Sequence, residues 1–116
     1  MNTTGRTPEQ VFEDHSRRLA GGDLDLVVEN YAPDAVFVTP DGVRHGREGV
    51  KQGLAQLLAD VPDAAWAMDP VFAGDVMLLP WTAVGATVQV LDGVDTFVFR
   101  DGEIVAQTVR YTVTQV

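Results

Sequence analysis

The two halves of this 116-residue chain differ in hydrophobic period, and this difference is the strongest constraint on the fold. Up to about residue 60 the apolar residues recur mainly at helical spacing, whereas no helix-period segment follows Asp63. Helices gathered in the first half and strands in the second predict an α+β domain, because a parallel βαβ sheet needs helices between its strands.

The first half predicts three helices and one short strand. A long first helix covers about residues 8–20, where Thr7 and Gln10 form a capping box around Pro8. The second helix is short and ends before Ala32-Pro33, and the third covers about residues 47–59. The strand AVFVTP lies between these two helices.

The second half predicts four long strands in a meander. The strand-like stretches are residues 64–72, 76–90, 94–100 and 104–116, separated by turns at 73–75, 91–93 and 100–103. Pro80 and Gly85 fall inside the second stretch and predict a bulge or an edge position. Because such kinks bend a sheet around a cavity, we expect a curved sheet with helices packed on its concave face.

Composition restricts the possible partners. The chain has 8 lysine and arginine residues against 17 aspartate and glutamate residues, a net charge of −9, which disfavours nucleic acid and anionic membranes. The absence of cysteine excludes thiolate sites, and two histidines are too few for a multi-histidine metal centre. We expect one cytoplasmic domain over residues 1–116, with residues 1–7 flexible.

Asp95 is the main candidate for a functional residue. Positions two apart share a face of a strand, so Asp95 points the same way as Phe97 and Phe99. A carboxylate in these surroundings costs free energy unless it is paired, protonated or hydrated. His15 lies on the apolar stripe of the first helix, beside Phe12. The alternative is a core histidine and a buried pair that only orders the fold.

The order and spacing of four segments resemble the nuclear transport factor 2-like superfamily, which includes ketosteroid isomerases and SnoaL-like polyketide cyclases. The segments are GGDLDLVVENYAPDAVFVTPDG, HGREGVKQGLAQLL, MLLPWTAVG and DTFVFRDGEIVAQTVRY. The resemblance implies a cystatin-like α+β barrel: a cone-shaped, curved antiparallel or mixed sheet around a long N-terminal helix and two shorter ones, with an apolar pocket. It also implies a homodimer through the outer face of the sheet.

The resemblance also implies roles for individual residues. His15 stands where the isomerases have an oxyanion-hole tyrosine, and Asp95 stands where they have a protonated aspartate that donates to the oxyanion. Thr39 stands where the isomerases have their general base, so that base is missing. Inward aromatic positions of the family fall at Trp81 and Tyr111.

These observations predict an enzyme that moves protons on a hydrophobic, carbonyl-bearing substrate by cyclisation, isomerisation or dehydration, without a cofactor. Asp95 would be the acid/base or a protonated donor to an enolate, and His15 would orient it or share its proton. The predicted substrate-binding residues are Thr39, Phe37, Trp81, Phe97, Tyr111, Tyr31 and Trp66. The alternative is a non-catalytic module of the same fold that binds an apolar ligand or mediates dimerisation.

The outward phase of the strands also predicts a self-association surface. The residues that share it are too apolar for a solvated face, which favours a homodimer through the sheet. They are Val84, Ala86, Val88, Val98 and Thr112.

Overall fold

The computed structural model describes residues 5–116 and has the predicted α+β architecture. The helices are α1 (Pro8–Gly21), α2 (Leu24–Val27), which continues as a 3-10 turn over Val28–Asn30, and α3 (Gly46–Asp60). The strands are β1 (Tyr31–Thr39), β2 (Gly42–His45), β3 (Ala65–Met68), β4 (Val71–Ala73), β5 (Val76–Val84), β6 (Val88–Arg100), β7 (Glu103–Arg110) and β8 (Thr114–Gln115).

The strands form one curved, open, mixed sheet. Its order is β2-β1-β7-β6-β5-β3, with β4 beside β5 and β8 beside β6. The pair β1–β7 is parallel, and the other pairs are antiparallel. The core lies between the concave face and the helices, where Val11 of α1 and Leu54 of α3 are buried among inward side chains of the strands. The predicted curved sheet with helices on one face is confirmed.

The predicted turn at residues 91–93 is wrong, because β6 runs through it. Trp81 pairs with Gly93 and Ala83 pairs with Val90, so two residues of β6 face one of β5 and form a β-bulge. The hairpin turn lies earlier, where the Gly85 N–H donates to the Val88 carbonyl over 2.9 Å. Gly93 is therefore not a turn residue. It lies beneath the Trp81 indole, and a Cβ there would come within 2.3 Å of ring atoms.

Pro80 lies within β5, an inner strand, and outside the β-bulge. The side of Pro80 that does not face β6 is directed at a gap between two short strands. The predicted stretch 64–72 is interrupted at Asp69-Pro70, which separates β3 from β4, and both pair with β5. Across this gap the Asp69 N–H donates to the Pro80 carbonyl over 3.1 Å. The missing N–H of Pro80 therefore costs no pairing with β3 or β4.

Residues 6 and 7 of the N-terminal segment make hydrogen bonds to the rest of the domain. Arg6 donates to the Asn30 side chain over 2.9 Å and to the Gly102 carbonyl over 2.7 Å. Thr7 caps α1 in the predicted capping box with Gln10. The expected flexibility of residues 1–7 stays a prediction, and residues 1–4 lie outside the described residues. Within residues 5–116 no helix is both long and apolar enough to cross a membrane.

We expect Gly93→Ala to lower the free energy of unfolding by about 1–3 kcal/mol, because the added methyl group forces the Trp81 ring to move. Urea unfolding measures the loss, and near-ultraviolet circular dichroism reports the indole displacement. Gly21→Ala is the matched control, because no atom beyond the neighbouring residues and the backbone of α1 lies within 4 Å of its added Cβ. Equal stability of the two variants would contradict the packing described here.

Candidate functional site

A cavity of about 190 Å³ lies between α1, α3 and the concave face of the sheet, and we call it the inner cavity. Its polar lining residues are His15, Ser16, Asp95 and Gln107. The rest of its wall is formed by Phe12, Leu19, Ala20, Leu54, Leu57, Leu58, Trp66, Met68, Leu79, Trp81 and Phe97. It is thus an apolar chamber with a small group of polar side chains, which is the usual composition of a small-molecule site.

Asp95 is buried in the wall of the inner cavity and held by two hydrogen bonds. Its Oδ1 accepts from Trp81 Nε1 over 2.9 Å, and its Oδ2 accepts from Gln107 Nε2 over 3.0 Å. Each carboxylate oxygen has a further lone pair, so both retain capacity to accept from a ligand. Trp81 reaches Asp95 because Gly93 leaves room for the indole to lie across β6.

Gln107 and Tyr31 fix the orientation of this carboxylate. The Tyr31 hydroxyl donates to Gln107 Oε1, which leaves the amide NH₂ group directed at Asp95. Both side chains are fully buried. An NH₂ group can only donate, so this arrangement favours Asp95 as an acceptor. Sequence reasoning missed Gln107, although it has the same strand phase as Tyr111 and could have been found from that alternation.

The surroundings of Asp95 bring its pKa near neutrality. Burial raises the pKa of Asp95 from 3.8 to about 6, and the hydrogen bonds from Trp81 and Gln107 oppose the rise. Asp95 is therefore largely ionised at pH 7 but binds a proton readily. This is the property that a general base working near neutral pH needs.

His15 lies in the same cavity but does not pair with Asp95. Its ring packs edge-on against Tyr31 and Phe97, with centroid separations of 5.8 and 5.5 Å. Within residues 5–116, its Nδ1 is buried without a hydrogen-bond partner and no bond joins it to Asp95. Burial lowers the pKa of His15 to about 4, so the imidazole is neutral at pH 7. The orienting contact predicted for His15 is instead made by Trp81 and Gln107.

The predicted substrate-binding residues divide between two cavities. Trp66, Trp81 and Phe97 line the inner cavity, and Tyr31 lies behind it, bonded to Gln107. A second cavity of about 560 Å³, beside the β1–β2 hairpin and α3, is lined instead by Phe37, Thr39 and Tyr111. The structure therefore brings Trp66, Trp81 and Phe97 together with Asp95 in one cavity, and it places Phe37, Thr39 and Tyr111 in the other.

Local packing explains this division. The Phe37 ring lies against α3 at Gly53, where a Cβ would come within 2.4 Å of ring atoms. The Tyr111 ring packs beside Trp81 at 5.6 Å, but its hydroxyl donates to Asp60 Oδ2 at the end of α3 over 2.5 Å. The polar end of Tyr111 is thereby held away from Asp95.

Residues 5–116 contain no group of three or more histidine, aspartate or glutamate side chains that could hold a metal ion. The side chains that face the inner cavity are suited instead to hydrogen bonding and proton transfer with an organic molecule.

The family model of the SnoaL-like domain matches residues 12–107. The chain belongs to the SnoaL-like family. This membership places it in the nuclear transport factor 2-like superfamily, as its sequence resemblance predicts. None of the curated proteins matches the sequence significantly.

Solved structures share the SnoaL-like fold at low sequence identity. An NTF2-like protein of unknown function from Burkholderia pseudomallei K96243 has a TM-score of 0.74 and 20% identity, over 97% of this chain and 92% of that one. A candidate polyketide cyclase from Sinorhizobium meliloti has a TM-score of 0.64 and 19% identity, over 85% and 92%. A protein of unknown function with a cystatin-like fold from Methylobium petroleophilum PM1 has a TM-score of 0.70 and 16% identity, over 93% and 77%.

In this SnoaL-like domain two buried titratable groups, Asp95 and His15, give stability slopes of opposite sign. Native Asp95 keeps its proton up to about pH 6, above its ordinary pKa of 3.8, so Asp95 makes the fold less stable as pH rises through this window. Native His15 loses its proton near pH 4, below its ordinary pKa of 6.5, so His15 makes the fold more stable as pH rises from 4 to 6.5.

In the wild type, the gain in stability that His15 gives as pH rises offsets the loss that Asp95 gives. We therefore expect His15→Phe to remove this gain and to leave the loss from Asp95 visible. Relative to the wild type, its free energy of unfolding should fall by on the order of 3 kcal/mol as pH rises from 4 to 6.5. Urea unfolding at several pH values measures this difference. Ser16→Ala, in the same cavity without a titrating group, is the control. A His15→Phe curve parallel to the wild type would exclude a depressed pKa.

Proposed function

We propose that the protein is a cofactor-independent enzyme that transfers a proton on a hydrophobic, carbonyl-bearing substrate, in a cyclisation, isomerisation or dehydration. The observation that carries this proposal is Asp95, a carboxylate buried in an apolar cavity with two fixed donors and a pKa raised to about 6. The resemblance to a candidate polyketide cyclase in fold supports the same class of chemistry.

In the proposed step, an ionised Asp95 oxygen removes a proton from the carbon beside the substrate carbonyl. The C–H electron pair moves into an enolate, and the proton is held on the carboxyl group. Return of the proton to another carbon completes an isomerisation. Attack of the enolate carbon on a second carbonyl, with the proton passing to the new alkoxide, completes a cyclisation. Transfer of the proton to a departing hydroxide gives a dehydration.

The neighbouring side chains have supporting roles in this proposal. Trp81 and Gln107 position the carboxylate, and Tyr31 positions Gln107. The neutral His15 ring has one N–H group that could stabilise an enolate oxygen in the same cavity. Thr39, which stands at the position of the isomerase general base, lines the other cavity. Asp95 is therefore the single acid/base in the proposed step.

Exchange of α-hydrogens for deuterium tests the proton-transfer step without knowledge of the natural substrate. One-, two- and four-ring ketones are incubated with the protein in D₂O, and exchange is followed by proton NMR. At least one of these ketones should exchange faster with the protein than without it. The rate should rise with pH around a midpoint near 6, as Asp95 ionises. Asp95→Asn should lower it by about 100-fold or more.

Two further variants sharpen this test. Gln107→Leu removes a donor that lowers the pKa of Asp95, so the midpoint of the exchange profile should move upward. Asp101→Asn makes the same chemical change in the exposed β6–β7 turn and should leave the rate unchanged. Exchange that Asp95→Asn leaves undiminished would remove Asp95 from the chemistry.

A non-catalytic ligand-binding module is the second candidate. The observation in its favour is that each Asp95 oxygen already has a protein donor, as in a network whose role is structural. Ligand binding in the inner cavity without acceleration of exchange on any ketone would favour this candidate over the enzyme.

We also propose that two copies associate through the outer face of the sheet, in a cytoplasmic setting. The exposed positions on β5 are apolar, and they lie in register with outward residues of β6, with Val76 beside Val98 and Leu78 beside Thr96. An apolar sheet face on a chain with net charge −9 is best covered by another apolar face.

We expect Leu78→Glu to convert a dimer into a monomer, because it places a charge within this apolar face. Analytical ultracentrifugation measures the change in mass. Leu26→Glu is the matched control, since Leu26 of α2 is 46% exposed and Leu78 is 45% exposed. A wild-type protein that sediments as a monomer at high concentration would contradict the proposed dimer.

A further inference from the structure

The size of the inner cavity limits what it can hold. Pockets for drug-sized ligands occupy roughly 300–1,000 Å³. A dry apolar cavity of roughly 150 Å³ holds one benzene molecule. At about 190 Å³, the inner cavity has space for one substituted ring or two fused rings, but not for a four-ring frame.

Three of the side chains that set this size, Trp81, Leu54 and Leu57, are buried. The Trp66 and Trp81 rings lie at a centroid separation of 5.0 Å with their planes tilted by 39°, and they narrow the cavity on the sheet side. Trp81 cannot move freely, because its indole is bonded to Asp95 and lies directly on Gly93. Leu54 and Leu57, which belong to α3, close the side of the cavity opposite the sheet, and both are buried in the core.

The polar groups define the chemistry of the occupant. An ionised Asp95 can only accept, and its two protein donors leave acceptor capacity on both oxygens. His15 faces the same cavity, and its buried Nδ1 lacks a partner among residues 5–116, a condition that normally costs stability. A compound with an acidic hydrogen directed at Asp95 complements the acceptor capacity of this carboxylate.

We propose that the inner cavity selects carbonyl compounds of one or two fused rings whose acidic hydrogen lies against Asp95, and that it excludes four-ring frames. This inference rests on the proposed function, which identifies the acidic hydrogen as the one that is transferred. A phenol of the same size is a stable substitute for such a substrate, because its O–H group takes the place of the acidic C–H.

Calorimetric titration with three probes tests both parts of the inference on the wild-type protein. The probes are 2-naphthol, 2-methoxynaphthalene, which keeps the rings but lacks the O–H donor, and estradiol, which has a phenol on a four-ring frame. We expect 2-naphthol to bind about tenfold more tightly than 2-methoxynaphthalene at pH 7.5, because a hydrogen bond to a charged acceptor is lost in the ether. Estradiol should bind at least tenfold more weakly than 2-naphthol.

The Asp95→Asn variant tests whether the preference for 2-naphthol over 2-methoxynaphthalene arises in the inner cavity. It should reduce the preference for 2-naphthol over its methyl ether to about threefold or less, since a neutral acceptor is weaker than a charged one. Asp101→Asn should retain the full preference. If Asp95→Asn does not fold, the shift of the Trp81 Nε1–H resonance when 2-naphthol is added to the wild type locates the ligand instead.

The outcomes separate this inference from the proposed function. Binding of estradiol as tight as that of 2-naphthol would overturn the size limit, and equal binding of the ether would overturn the donor requirement. Failure of all three probes to bind would overturn the inference entirely. Tight, selective binding of 2-naphthol without α-hydrogen exchange on any ketone would uphold the ligand class and refute the enzyme.

Discussion

The organisation of the concave face depends on the hydrogen bonds to one buried carboxylate, Asp95. Four side chains are joined in a row by hydrogen bonds, and each comes from a different one of four neighbouring strands. They are Tyr31 of β1, Gln107 of β7, Asp95 of β6 and Trp81 of β5. The side-chain bonds therefore cross the sheet in the same order as the strands themselves. This row spans the parallel pair and two antiparallel pairs, and it fixes where a polar group can stand in an apolar cavity.

The same row sets the electrostatic balance of the cavity. A carboxylate that is removed from water tends to bind a proton, whereas the N–H groups of Trp81 and Gln107 favour its charge. Burial outweighs these hydrogen bonds, and the pKa of Asp95 rises from 3.8 to about 6. His15 experiences burial without a compensating partner among the described residues and stays neutral. One acceptor and one uncharged imidazole thus face the same small volume.

The sequence was sufficient to predict the fold class and the inward direction of Asp95 and His15, because these follow from helical and strand periodicity, whereas the inward direction of Trp81 was implied by the family resemblance. It did not reveal that Gln107 is the partner of Asp95, since that contact depends on the cross-strand register of β6 and β7. The position of Tyr111 was also beyond periodicity. Its phase is inward, but its hydroxyl reaches the end of α3, and only the packing of α3 on the sheet determines this.

The β-bulge in β6 has a consequence for the whole site. Val90 and Asp95 are five positions apart and would face opposite sides of a regular strand, yet both are buried on the concave face. The extra residue at Leu91-Asp92 reverses the alternation between them. One inserted residue thus determines which face of the sheet the following residues of β6 occupy. It places Asp95 on the concave face rather than the outer face, without any change in the chemical identity of the side chains.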